Sequence, residues 1–186
     1  MDKCTNGGNG MNKEKREWLT SLRLVIIIIT IAITVRTIFF SPIIVDGPSM
    51  LPTLESQDQM IINKFVYRMK EPERFDIVVF HASEEDDFIK RVIGLPGEHV
   101  AVDNGKLYVN DEEINEPYLD TANQPNFRLQ DLPGSYDVIP ENYLLVLGDN
   151  RTNSVDSRSF GLVKKKDIVG RASLIYWPLH RFQKVN

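Results

Sequence analysis

One cysteine, Cys4, is all that the 186 residues contain. No disulfide can form within the chain, and no cysteine-based metal site is available. Cys4 itself reads as an incidental thiol in a polar tail. Histidine is nearly as scarce, with only His81, His99 and His180. None of the three sits in a distinctive motif, and no His/Asp/Glu group has metal-ligand spacing, which argues against a metal centre. No metal or other cofactor is expected. Positive charge is in short supply after residue 40, where sixteen Lys/Arg stand against twenty-three Asp/Glu; the first forty residues reverse this, with six against three. An acidic body without a basic patch argues against nucleic acid as a partner. After Phe40 the chain also lacks a convincing amphipathic helix, an internal repeat and any low-complexity block. The length suits one modest domain, or one carrying a small insert.

There is one long hydrophobic run. Met1 to Asn12 are polar and rich in Gly and Asn, which predicts disorder, and Met11 offers an alternative start. Lys13, Lys15, Arg16 and Arg23 then precede Leu24–Val35. Arg36 interrupts before Thr37-Ile38-Phe39-Phe40. The uninterrupted core of twelve residues suits a secretory signal as well as a span. Residues 22–40 together, however, make roughly 28 Å of helix, and Arg36 near the far end can snorkel to the interface. Ser41-Pro42-Ile43-Ile44-Val45 offers no Ala-x-Ala-like cleavage site. An uncleaved single-pass anchor is therefore expected over residues 22–40. The preceding basic cluster predicts a cytosolic tail over 1–21 and an extracytoplasmic body after the helix.

The body reads as mainly β. Residues 60–67, 76–80, 99–102, 106–109, 142–147 and 172–177 are β-branched and aromatic runs bounded by turn residues. Asn104-Gly105 predicts a tight hairpin, because a type I′ turn needs positive φ at both central residues. The stretch from Glu116 to Pro140 is turn-rich, with Pro117, Pro125, Pro133-Gly134 and Pro140. The expected architecture is an all-β core over 41–102 and 141–186, a small inserted β lobe over 103–140, and one transmembrane helix in front.

Three segments carry chemistry. Ser49 sits in Val45-Asp46-Gly47-Pro48-Ser49-Met50-Leu51-Pro52-Thr53-Leu54, just after the hydrophobic segment. Lys90 sits in Phe88-Ile89-Lys90-Arg91-Val92-Ile93, a run too apolar for an ordinary solvated face. A hydroxyl becomes a nucleophile when a neighbour removes its proton, and a lysine can do so only as a neutral amine, the form that apolar surroundings favour. Without Ser49, Lys90 would read as a snorkelling lysine on a strand edge. The third segment, Leu147 to Gly161, crowds Asp149, Asp156, Arg151 and Arg158 among hydroxyls and amides. Asp149 and Asp156 are candidates to pair with Arg151 or Arg158 and lock the backbone. Ser154 is then placed to accept a hydrogen bond from an amine and aim it. A Ser-His-Asp triad through one of the three histidines remains formally open, since triads follow geometry and not chain order. Lys164-Lys165-Lys166 reads as a solvated turn able to touch anionic lipid.

Four motifs in order make the chain resemble the type I signal peptidases, particularly the compact Gram-positive kind. They are Gly47-Pro48-Ser49-Met50-Leu51-Pro52-Thr53-Leu54, Arg74-Phe75-Asp76-Ile77-Val78-Val79-Phe80, Lys90-Arg91-Val92-Ile93-Gly94-Leu95-Pro96-Gly97-Glu98, and Gly148-Asp149-Asn150-Arg151 through Phe160-Gly161. The resemblance implies Ser49 as nucleophile, Lys90 as general base and Ser154 as the serine that orients the lysine. It implies a supporting network of Asp149, Asp156 and Arg158, and places Met50, with Ile89, near the pocket for the substrate's last residue. It also implies a membrane-bound endopeptidase that removes signal peptides from secretory preproteins, with small residues at the last and third-from-last positions of the signal. Gly47 departs from relatives that carry a serine there to help hold the oxyanion, which leaves the Ser49 backbone amide as the better donor. Three rivals stand beside this reading. One is a self-cleaving repressor-type Ser-Lys peptidase, disfavoured by the anchor. The others are a catalytically silent membrane-tethered β module that binds peptides, and a cleaved secreted protein.

Overall fold

The computed structural model describes residues 9–83, 86–119 and 124–185, without the side chains of 9–16 and 35–40. The expectations for Cys4, for the Arg36 side chain and for most of the polar tail lie outside the described residues. The chain divides into two compact units, Met1–Phe39 and Phe40–Asn186.

The first unit is a single helix, α1, over Asn9–Phe39. It begins well before the expected anchor, so residues 9–12 are helical where disorder was expected. Its stretch Glu17–Thr34 is long and apolar enough to cross a membrane. Its polar side chains are disposed of locally. Ser21 Oγ donates to Glu17 O, Thr30 Oγ1 to Ile26 O and Thr34 Oγ1 to Thr30 O, each four residues back. Hydroxyls satisfied in this way are tolerable in hydrocarbon.

The second unit is built from antiparallel strands. The larger sheet contains β1 (Phe40–Ile44), β2 (Gln59–Asn63), β3 (Ile77–His81), β4 (Asp87–Gly94), β9 (Tyr143–Leu147), β10 (Val163–Lys164), β11 (Ile168–Trp177) and β12 (Gln183–Lys184). Its order is β1-β2-β11-β3-β4-β9-β10, with β12 pairing β11. The smaller sheet runs β7-β6-β5-β8, from β5 (Val100–Asp103), β6 (Lys106–Val109), β7 (Glu112–Ile114) and β8 (Phe127–Arg128). Asn104 and Gly105 both take positive φ, 48° and 73°, and close the β5–β6 hairpin as the dipeptide predicts. An insert beginning at residue 103 would cut this hairpin, because β5 pairs with β6 and β8, not with the larger sheet.

The central strands are buried on both faces, which is why they read as unbroken apolar runs. On β9, Leu145 and Leu147 pack with Val100, Val102, Leu107 and Ile139, so the two sheets share a core. Leu144 and Val146 point the other way, into a cluster with Val78, Phe80 and Val92. A third cluster joins Met50 and Leu54 to Met60, Ile77, Ile175 and Val185. The run 60–67 does not continue as a strand. Asn63 Oδ1 accepts the Phe65 and Val66 amides and turns the chain into the short helix α2 (Val66–Met69). Strand β1, unmarked in the sequence by any period-2 alternation, contains Pro42; among the described residues it pairs only with β2, and an edge strand tolerates a residue without an N–H.

Candidate active site

The segment Val45–Asp58 leaves β1, reverses, and returns to β2. Its ends are tied by Val45 N to Asp58 O and Gln57 N to Val45 O. Met50 and Leu54 anchor it in the core, at 1% and 0% exposure. The C-terminal turn braces it from outside, as Arg181 donates to both Asp58 oxygens and to Thr53 O. Ser49 is thereby held at the wall of a groove of about 860 Å³. Lys90, on β4, reaches the same groove, and its Nζ stands 2.8 Å from Ser49 Oγ in hydrogen-bond contact.

Lys90 is 4% exposed. Burial pushes its amine down to about 8, against a smaller upward pull from the carboxylates of Asp156 and Asp149. The ring of Phe88, 5.2 Å from Nζ, also favours the charged form. Desolvation wins, so the neutral amine is far more populated near neutral pH than in an exposed lysine.

The segment 148–158 closes the site from the other side. Asp149 pairs with Arg91, the neighbour of Lys90, through Nε to Oδ1 at 2.8 Å and Nη2 to Oδ2 at 2.7 Å. It does not pair with Arg151 or Arg158, the two partners considered from sequence. Thr53 Oγ1 donates to the same carboxylate, linking it to the Ser49 loop. Arg91 further donates to Phe75 O and lies 3.9 Å above the Tyr118 ring. Asp156 does pair with Arg158; it is fully buried, caps the helical turn α3 (Ser157–Phe160) and accepts the Gly148 amide. Arg151 turns away from both aspartates and pairs with Glu116 of the small-sheet region, while also bonding Gln124 and Gly148 O.

Ser154 lines the same groove as Ser49, Lys90, Met50 and Ile89. Its Oγ is buried and has no hydrogen-bond partner among the described residues, so the bond expected from an amine is not formed here. None of the three histidines lines the groove. His81 faces outward and pairs with Asp87. Sequence reasoning missed Arg91, Thr53, Glu116 and Arg181 as parts of the support. Arg91 alone carried a signal, being a charged residue inside a buried apolar run.

The family model for signal peptidase, peptidase S26, matches residues 16–177. The chain belongs to the peptidase S26 signal peptidase family. A signal peptidase I from Bacillus caldolyticus is 44% identical over 162 residues, covering 83% of this chain and 88% of that one. Signal peptidase IB from Staphylococcus aureus is 39% identical over 184 residues, covering 93% and 95%. The crystal structure of a signal peptidase I from Enterococcus faecalis superposes with a TM-score of 0.51 at 37% identity, over 55% of this chain and 97% of that chain. The mainly β architecture is that of the family, and an N-terminal apolar helix is compatible with membrane anchoring.

Proposed function

We infer that this chain is a serine endopeptidase that removes N-terminal signal peptides from secreted preproteins, with Ser49 as nucleophile and Lys90 as general base. The observation that carries the assignment is the 2.8 Å contact between a buried lysine amine and an accessible groove serine. With the amine neutral, the hydroxyl donates to Nζ. Lys90 then takes the proton as Ser49 Oγ attacks the carbonyl at the end of the signal peptide. The oxyanion is held by the Ser49 amide, the leaving amine takes a proton from the Lys90 ammonium, and water hydrolyses the resulting ester through the same base. Asp149, Asp156 and Arg158 support the dyad without touching substrate. Ser154 lines the groove that also holds the amine.

Substrate is bound by strand addition. Strand β1 pairs on one side only, and β4 pairs with β9 only from Arg91 onward, so among the described residues Ile43–Ile44 and Asp87–Lys90 present free edges to the groove. An extended peptide laid between them exposes alternate side chains to each wall. Met50 and Ile89 line the groove and are assigned to the space for the last signal residue, with small residues taken at the last and third-from-last positions. The helix confines enzyme and substrate to one bilayer surface and so raises their effective concentration. The tail lies in the cytosol and the body outside, by the basic residues before the helix. The core and the small lobe divide near residues 100 and 140.

The test is incubation of detergent-solubilised protein with a preprotein. Wild type should release the signal peptide, while Ser49→Ala, Lys90→Ala and Lys90→Arg should not, since a guanidinium stays protonated. Turnover by any of the three in a preparation free of other peptidases would defeat the dyad. Protease added outside right-side-out vesicles should digest the body and spare the tail; a protected body would reverse the orientation. A silent peptide-binding module is not favoured, because the dyad is assembled.

A further inference from the structure

Asn150 grips the nucleophile's backbone twice. Its side-chain Nδ2 donates to Pro48 O at 3.1 Å, and its backbone N–H donates to Ser49 O at 3.0 Å. Pro48 O can only accept, which orients the amide with Nδ2 toward it, and Thr152 Oγ1 lies 3.5 Å from Asn150 Oδ1 on the other side. Two successive peptide planes, Pro48–Ser49 and Ser49–Met50, are therefore pinned by one residue.

The geometry points to Asn150 as the positioning residue of the oxyanion hole. In a trans peptide the carbonyl and the amide of the same plane point in opposite directions. Holding Pro48 O therefore sets the direction of the Ser49 N–H. Among the described residues that N–H has no acceptor, so it is available to substrate. Gly47 cannot supply a side-chain donor; its φ of +85° is a backbone conformation that L side chains rarely adopt. A fixed donor is worth most when it costs no reorganisation during reaction. Asn150 supplies that fixity from a segment 102 residues away in sequence, and touches no reacting atom itself.

This inference rests on Ser49 being the nucleophile, and the experiment separates the two. Asn150→Ala removes the side-chain bond to Pro48 O, leaves that oxygen only the Leu51 amide at 3.2 Å, and keeps the backbone bond to Ser49 O. Asn150→Asp is nearly isosteric but cannot donate. Both should lower kcat about 10- to 100-fold with little change in KM, and with Asn150→Ala, which adds no charge, the acidic limb of the pH profile should stay put. A peptide aldehyde supplies an independent readout. Ser49 Oγ adds to its carbonyl carbon, the hydroxyl proton passes to Lys90, and the carbonyl oxygen takes up the charge in the hole. Aldehyde affinity should fall by the factor lost from kcat/KM, while the product peptide with a free carboxylate binds as to wild type. Asn150→Gln, which retains the donor, should recover part of the loss. Residual turnover in Ser49→Ala would defeat the nucleophile assignment. With Ser49→Ala dead, an Asn150→Ala kcat within twofold of wild type, or equal weakening of aldehyde and product peptide, would overturn this inference alone.

Discussion

Arg91 and Asp149 form a two-pronged ion pair in which the side chains are 2% and 0% exposed. It joins the strand that carries Lys90 to the segment that carries Ser154, and Thr53 brings the Ser49 loop to the same carboxylate. Three segments distant in sequence thus converge on one buried charge pair.

Removing one partner should be costly. Asp149→Ala leaves a buried guanidinium uncompensated, and a loss of about 3–5 kcal/mol is expected in denaturant unfolding. The double variant Arg91→Met/Asp149→Ala should recover part of that loss, because no charge remains buried, yet it should stay poorly active because the three segments are no longer joined. A double variant no more stable than Asp149→Ala would show that the pair contributes by packing and not by charge.

Lys90 sets catalysis against stability. Its folded-state pKa of about 8 lies below the unfolded value of 10.5. Between those values the folded protein binds fewer protons than the unfolded chain, so stability rises with pH across that window; below about pH 8 the full penalty of a buried ammonium applies. One pKa unit is worth 1.36 kcal/mol, so the penalty is about 3 kcal/mol at pH 7. Lys90→Met should therefore be inactive and more stable than wild type by up to that amount at pH 7. The gain should shrink as pH rises from 8 to above 10. In wild type, kcat/KM should rise through an acidic limb near pH 8 that replacement of His81, His99 or His180 does not move. A constant stability difference across the pH range would contradict the depressed amine.

The legibility of this site in the sequence followed from local chemistry. Ser49 and Lys90 announced themselves because each sits in a short segment with unusual surroundings, and the Asn104-Gly105 turn has only one low-strain solution. The pairing of Asp149 did not announce itself, because its partner Arg91 lies 58 residues away and nearer arginines were available in the same segment. Arg151 shows why: its 4%-exposed side chain is used to tie Glu116, in the turn-rich stretch, to Gly148 O. Strand β1 escaped notice because Pro42 reads as a breaker until the free edge beside it is known. The early end of β2 was hidden by Phe65, Val66 and Tyr67, whose β-propensity is overridden by the Asn63 side chain.

Ser154 separates stability from turnover. Its buried Oγ is unpartnered, so Ser154→Ala removes a desolvated hydroxyl and should leave stability unchanged or slightly higher. Turnover should nonetheless fall substantially and remain measurable, because the groove that holds Ser49 and Lys90 loses a polar group from its wall. A large fall in unfolding stability would mean that Oγ is bonded in solution. Unchanged turnover would remove Ser154 from the site.

Gly148 has no room for a side chain. A Cβ there would lie 2.2 Å from Ser154 Oγ and 2.5 Å from the Ser49 carbonyl oxygen. Rotating the Ser154 side chain would relieve the first clash but not the 2.6 Å contact with Ser154 Cβ; the second is with backbone, and that oxygen also accepts the Asn150 amide. Gly148→Ala must therefore push the Ser49 peptide away from its present position, and a displacement on the order of 1 Å costs roughly 100-fold in rate. The expected result is a fall in kcat of about that size. Pairing it with Ser154→Gly tests which clash matters. That substitution removes the Ser154 contacts but not the one to Ser49 O, so the double variant should remain impaired. Recovery of wild-type turnover in the double variant would assign the damage to the side chain of Ser154, and would mean that the nucleophile's backbone can yield without cost.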